Sequence, residues 1–273
     1  MDEDLIEGFD NFVIGNFQAC LDLHSSVKES NFLWEALCAR CHLALDHLDE
    51  LKSLPCGTAF FTVFKKSVVE SQKRAAFEKV LENAVSGDPV AAYYACVARA
   101  IAGDLIDAIN YAKSCLSASP SEFNALIVLF SLKINRPDLA QNVLHSAMKR
   151  DDSAAAKLVS AIAALYAGKN TEAYSCYSDL IAQFSAESSL ALANGRAVAN
   201  LQRGMLSEAS EDLDNCLTLK PTDADSLVNQ ICKCALSGSD TQIHIDVLAQ
   251  NHPSHPIVYK LAQMNDAFAK FVH

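Results

Sequence analysis

The side chains with the most chemical potential in this chain are its cysteines and histidines. Cys38-Ala39-Arg40-Cys41-His42 is a CxxCH string, the spacing by which two thiols and an imidazole hold a c-type haem. Haem attachment needs an exported chain and a second axial ligand, and neither is visible. The string also lies inside an apolar run of helical period, so the pattern supports two packing thiols beside an exposed imidazole. Cys232 and Cys234 stand two apart, which on a helix turns them to different sides and is wrong for tetrahedral zinc. His252 and His255 are interleaved with Pro253 and Pro256, lack a thiolate or carboxylate pair nearby in sequence, and read as a turn. No glycine-rich phosphate loop, GxSxG elbow or HExxH pair occurs. The residues therefore predict no catalytic site, no metal and no cofactor, and attention moves to the elements and the surfaces they present.

The chain has 273 residues, 51% of them hydrophobic, enough to bury a large core. Gly and Pro are scarce while Ala, Leu and Ser dominate, which favours helix; only short runs such as Phe60 to Phe64 look like strand. A formal net charge of −11 argues against a nucleic-acid partner or an anionic membrane surface, since both require a basic face. The densest basic cluster, Lys65-Lys66 with Lys73-Arg74, reads as solvated helix surface. The acidic start MDEDLIEGFDNF lacks the basic and apolar regions of a secretory signal, and no run is long enough to span a bilayer. The expectation is a cytoplasmic protein whose ten cysteines are reduced packing residues.

The organising pattern is clearest in NGRAVANLQRGMLSEASEDLDNCLTLKP, residues 194–221. Ala193, Ala197 and Asn200 place small side chains on one helical face, Gly204 breaks the run, and Leu206, Ala209, Leu213 and Cys216 restart a helical period that Pro221 closes. Two antiparallel helices at close range have no room for large side chains where their axes approach, so this is a tight helical hairpin. The spacing from Gly204 to Ala209 to Pro221 is that of a tetratricopeptide (TPR) repeat of about 34 residues. Similar units follow one another. Gly103, Ala108, Cys115 and Pro120 make one, Asn135, Ala140, Leu144 and Ala147 another, and Gly168, Ala173 and Tyr177 a third. The small-residue anchors at 108, 140, 173 and 209 are 32, 33 and 36 residues apart.

Earlier units match this pattern poorly. Leu5, Ile6, Phe9, Phe12 and Val13 share a face before Gly15 and, with Phe17, Cys20 and Leu21 after it, make a first hairpin; Trp34, Leu37, Cys41 and Leu45 recur at helical spacing behind a cap at Asn31. Phe60 to Val85 forms another pair beyond the break at Pro55-Cys56-Gly57. The predicted fold is all-α: a TPR-like α-solenoid of antiparallel helix pairs stacked as a right-handed superhelix. It spans residues 1–273 as one domain, with degenerate repeats over 1–87, clearer repeats over 88–255 and a capping helix over 256–273.

In such a stack the first helix of each pair lines the concave side. The repeat register then points Tyr93 and Val97, Leu129 and Leu132, Leu158, Ile162 and Leu165, Asn194, Val198 and Leu201, and Val228 into the groove. Nearly all are apolar, where a groove for a charged peptide tail would need Lys, Arg and Asn. An apolar face of this kind fits a superhelix that fills its own centre, or a groove permanently occupied by an apolar partner segment.

Five segments carry a resemblance to a known family. They are FDNFVIGNFQACL (9–21), FKKSVVESQKRAAFEKVLE (64–82), RPDLAQNVLHSAMKRDD (136–152), LANGRAVANLQRGMLSEASEDLDNCL (192–217) and SHPIVYKLAQMNDAFAKFV (254–272). In order and spacing the chain resembles the coatomer epsilon subunits, components of the COPI vesicle coat. The resemblance implies a non-catalytic TPR solenoid that clasps and stabilises the C-terminal domain of the coatomer alpha subunit, in retrograde Golgi-to-ER and intra-Golgi transport. It implies a cytoplasmic protein, peripheral on Golgi membranes and coated vesicles and touching them only through the coat. The alternative is a TPR adaptor or co-chaperone that binds peptide segments reversibly.

Overall fold

Our computed structural model describes residues 3–27, 32–45, 47, 49–50, 89–117 and 119–271. Among these every regular element is a helix: α1 Glu3–Val13, α2 Phe17–Ser26, α3 Phe32–Leu45, α4 Pro89–Ile101, α5 Leu105–Ser114, α6 Pro120–Lys133, α7 Pro137–Ser146, α8 Ala154–Tyr166, α9 Asn170–Phe184, α10 Leu190–Gln202, α11 Leu206–Leu219, α12 Ala224–Ser237, α13 Gln242–Asn251 and α14 Pro256–Phe271. The expected cap at Asn31, the helix pair and strand-like run between Phe60 and Val85, and the basic cluster at 65–74 lie outside the described residues. The chain divides into two compact units, Met1–Gly168 and Lys169–His273.

Local chemistry accounts for the helix boundaries. Ser153, Ser189 and Asp223 precede α8, α10 and α12, and their side chains accept from the backbone N–H of Ala156, Leu192 and Ser226, removing one orphan donor from each first turn. Pro89, Pro120, Pro137 and Pro256 open helices at the position where a missing N–H does no harm. The turns between paired helices need a left-handed residue: Gly204 has φ +76°, and Asn135 fills the same role at φ +58°.

In the first unit α4 packs on α5, α5 on α6, and α6 on both α7 and α8. Cys96, Ala108, Ala112, Phe123 and Ile127 share one core, and Val128, Leu132, Ala140, Ala156 and Val159 the next. The N-terminal helices build a separate cluster of Leu5, Cys20, Trp34, Leu37, Cys38 and Cys41, and α1 also packs against α8. Ile6, which the apolar pattern of α1 would place with Leu5, lies on the outer side and is exposed.

The second unit runs α9 to α14 with each helix packed on the next and α10 also on α12. Ala197, Ala209, Leu213 and Cys216 have no exposed surface, as the close-approach pattern requires. The tightest point is Gly195. A Cβ there would stand 2.3 Å from Cε1 of Tyr177, a side chain only 3% exposed. We expect Gly195→Ala to lower stability by ~1–3 kcal/mol through this overlap, measured as a fall in the urea midpoint at unchanged m-value.

Candidate functional site

The residues expected on the first-helix face fall on α4, α6 and α8 of the first unit and on α10 and α12 of the second. Tyr93, Val97, Leu129, Leu158, Ile162 and Leu165 are half-buried and Leu132 is buried. Leu129 and Ile162 pack against the Val128–Val159 core, so part of each side chain supports its own repeat. In the second unit Val198, Leu201 and Val228 are half-buried, while Cys232 and Ala235, one and two turns beyond Val228, are exposed.

Asn194 is buried, and its amide is committed within the chain. Its Nδ2 donates to Ser226 Oγ at 2.9 Å and its Oδ1 accepts from Asn229 Nδ2 at 2.9 Å. Ser226 Oγ in turn donates to Asp223, the residue that caps α12, at 2.8 Å. This polar chain joins the first helices of two successive repeats. Beside it, Arg196 grips Asp212 in a fork of 2.5 and 3.1 Å bonds, tying α10 to α11.

The first unit has a more deeply buried charge. Arg40, 4% exposed, reaches from α3 to the carboxylate of Glu122 on α6. Its guanidinium carbon lies 4.3 Å from the Phe12 ring centroid and 4.5 Å from that of Tyr93, with Phe9 at 5.8 Å and Tyr94 at 5.9 Å. Burial alone would loosen the Arg40 proton, but Glu122 and the two phenols hold it more firmly than usual. Burial pushes both phenols up despite that cation. Tyr93 thus meets the chain's own arginine. The only cue to this site in the sequence is a basic residue inside the otherwise apolar stretch LCARCHLAL.

The CxxCH string belongs to this same helix. Cys38 and Cys41 are buried, and a hydrogen bond with Cys20 followed by burial pushes the Cys41 thiol up. Burial likewise raises Cys96 to about 12 and Cys216 to about 11, so these thiols stay protonated at neutral pH and act as small apolar side chains. His42 is half-buried, not exposed, and burial lowers its pKa. His252 bonds the Thr222 carbonyl at 2.6 Å, and His255 Nδ1 accepts from Ile257 N at 3.3 Å in the first turn of α14, which is turn and cap chemistry. Among the described residues no group of three or more His, Cys, Asp or Glu side chains is placed to hold a metal ion, and no helix is long and apolar enough to cross a membrane.

A sequence profile of the coatomer epsilon subunits matches residues 2–273. The chain belongs to the coatomer epsilon subunit family. It is 24% identical to coatomer subunit epsilon-1 of Arabidopsis thaliana, over 95% of this chain and 93% of that protein. It is 26% identical to coatomer subunit epsilon-2 of Oryza sativa subsp. indica, over 73% of this chain and 66% of that one. Among solved structures, the APC/C hetero-tetramer Cut9-Hcn1 matches with a TM-score of 0.67 at 13% identity, covering 94% of this chain and 54% of that one. A tetratricopeptide repeat protein from Parabacteroides merdae ATCC 43184 matches with a TM-score of 0.56 at 15% identity, covering 96% and 97%. At these identities the two structures establish the fold: this epsilon-family chain is a TPR-like α-solenoid.

Within the first unit, Asp10 of α1 accepts a 3.0 Å hydrogen bond from Ala154 N at the start of α8. Burial raises the Asp10 carboxyl above its ordinary 3.8; the Ala154 bond and nearby Lys157 offset this only partly, and Asp151 adds to it. A raised folded value means that the contribution of Asp10 is fully favourable below about pH 4 and is lost as pH rises through that value. Asp10→Asn keeps the acceptor and removes the charge. It should raise Tm at pH 7, and the gain over the parent chain should shrink as the pH falls through the raised folded value and be gone below about pH 4 in a thermal-melt series.

Proposed function

We propose that this epsilon-family chain is a non-catalytic scaffold subunit of the COPI coat that binds and stabilises the C-terminal domain of the coatomer alpha subunit. It would act in retrograde Golgi-to-ER and intra-Golgi transport, peripheral on Golgi membranes through the coat and without contact of its own with nucleic acid. Family membership supports the coat assignment. The observation that carries the binding surface is the run of half-buried apolar side chains on first helices: Leu158 and Leu165 in the first unit, and Val198, Leu201 and Val228 in the second. None carries a charge that could read a peptide terminus. A permanent partner relieves the cost of leaving such surface wet, whereas a reversible receptor would expose it whenever empty.

The test uses side chains that are not fully committed to the core. Val198→Asp with Leu201→Asp should abolish co-purification with the alpha C-terminal domain while circular dichroism keeps its helical amplitude, since both positions are half-buried. Unchanged yield of the complex would move the interface off this face. Binding of a charged C-terminal peptide instead would favour a reversible adaptor.

A further inference from the structure

The CxxCH string leaves one residue that core packing does not account for. Cys38 and Cys41 turn inward with Cys20 and Trp34, and the next step of α3 carries His42 to the edge of that core, half-buried. There the chain folds back over the helix end. The His47 N–H donates to the His42 carbonyl at 2.9 Å, closing the last turn as a Schellman-type end does. The exposed His47 ring is thereby set beside that of His42, with centroids 5.7 Å apart and planes inclined by 47°. Two charged imidazoles so placed repel one another, so the pair gains nothing as two cations. The Nδ1 of His42 is buried and has no hydrogen-bond partner among the described residues. A ring nitrogen in that state has given up its hydration without return, and a bound ion is one of the few ligands that repairs the loss. The surroundings favour a cation. The pair lies at the C-terminal end of α3, where unpaired carbonyls form the negative pole, and Glu50 is near enough to favour positive charge at His42. His24, a further imidazole of this region, is stacked on Trp34 at 5.5 Å, which leaves His42 and His47 as the pair.

We infer that His42 and His47 form a binding site for one Zn2+ ion, held by two imidazole nitrogens with water in the remaining positions. Two imidazoles on one tetrahedral zinc, with nitrogen bonds of about 2.0–2.1 Å, stand with ring centroids roughly 5 Å apart, so a small rotation of the exposed His47 side chain completes the pair. Imidazole suits zinc, nickel and copper, whereas magnesium and calcium take oxygen ligands. Two protein ligands make this an exchangeable ion, unlike the closed four-ligand zinc of a structural site. Its effect is to tie the chain that follows α3 to the last turn of that helix. The site belongs to the isolated chain and stands whether or not the alpha subunit is the coat partner.

Titration of the full-length chain with Zn2+ alone, after chelator treatment and desalting, tests it. At neutral pH the parent chain should bind one more Zn2+ than either His42→Gln or His47→Gln in isothermal titration, a difference that discounts ions held by thiols elsewhere. Its Tm should rise saturably with Zn2+ and return on addition of EDTA. Excess Mg2+ should leave the uptake unchanged. His252→Gln with His255→Gln should keep the extra ion, since those rings are engaged by the Thr222 carbonyl and the Ile257 N–H. If His42→Gln loses helical amplitude, His47→Gln decides the result, because His47 is exposed. Equal stoichiometry in the parent chain and His47→Gln, displacement of the ion by Mg2+, or its loss from the His252 and His255 double variant would overturn the site.

Discussion

Ala108, Ala140 and Ala209 have no exposed surface, and each lies on the packed face of the second helix of its pair. Paired helices settle at the distance the smallest contacting side chains allow, so these positions govern how every neighbouring side chain meets its partner. Cys96 and Ala197 complete the approach from the first helices and are equally buried. Where still more room is needed the residue is Gly195, against the ring of Tyr177. A repeat array built on such contacts has little tolerance for added volume on its inner seams and wide tolerance elsewhere.

Polar groups inside the array do a different job. Arg196 with Asp212, and the chain from Asn229 through Asn194 and Ser226 to Asp223, set the angle between neighbouring helices by direction, which apolar contacts cannot supply. Arg40 with Glu122 does this over a long stretch of sequence, linking α3 to α6. Leaving either member alone in that setting would expose the other to a desolvation cost of several kcal/mol, so the pair acts as a unit. The same helix carries the cysteines of the CxxCH string, which share a buried cluster with Cys20 and Trp34.

Membership of the coatomer epsilon family gives the surface its context. On the first helices Leu158, Leu165, Val198, Leu201 and Val228 are apolar and half-buried, on helices fixed by their own repeats. Each first helix divides into a buried stripe and a half-exposed one at adjacent positions, as Ala197 and Val198 show.

The sequence by itself determined the helical class, the repeat length and the turn positions. These follow from local requirements: a small residue where axes cross, a left-handed residue at the turn, a proline or a Ser/Asp cap at the start. It located the first-helix residues by register, from Tyr93 to Val228, because a 3.6-residue period assigns a face once the anchors are known. It could not say that Asn194 commits its amide to Ser226 and Asn229, that Tyr93 faces Arg40, or that Asp10 meets the start of α8. Those contacts join residues 32, 35, 53 and 144 positions apart. Periodicity within a helix carries no record of which distant helix arrives opposite it, and only tertiary packing brings an isolated charge such as Arg40 to the carboxylate that makes its burial tolerable.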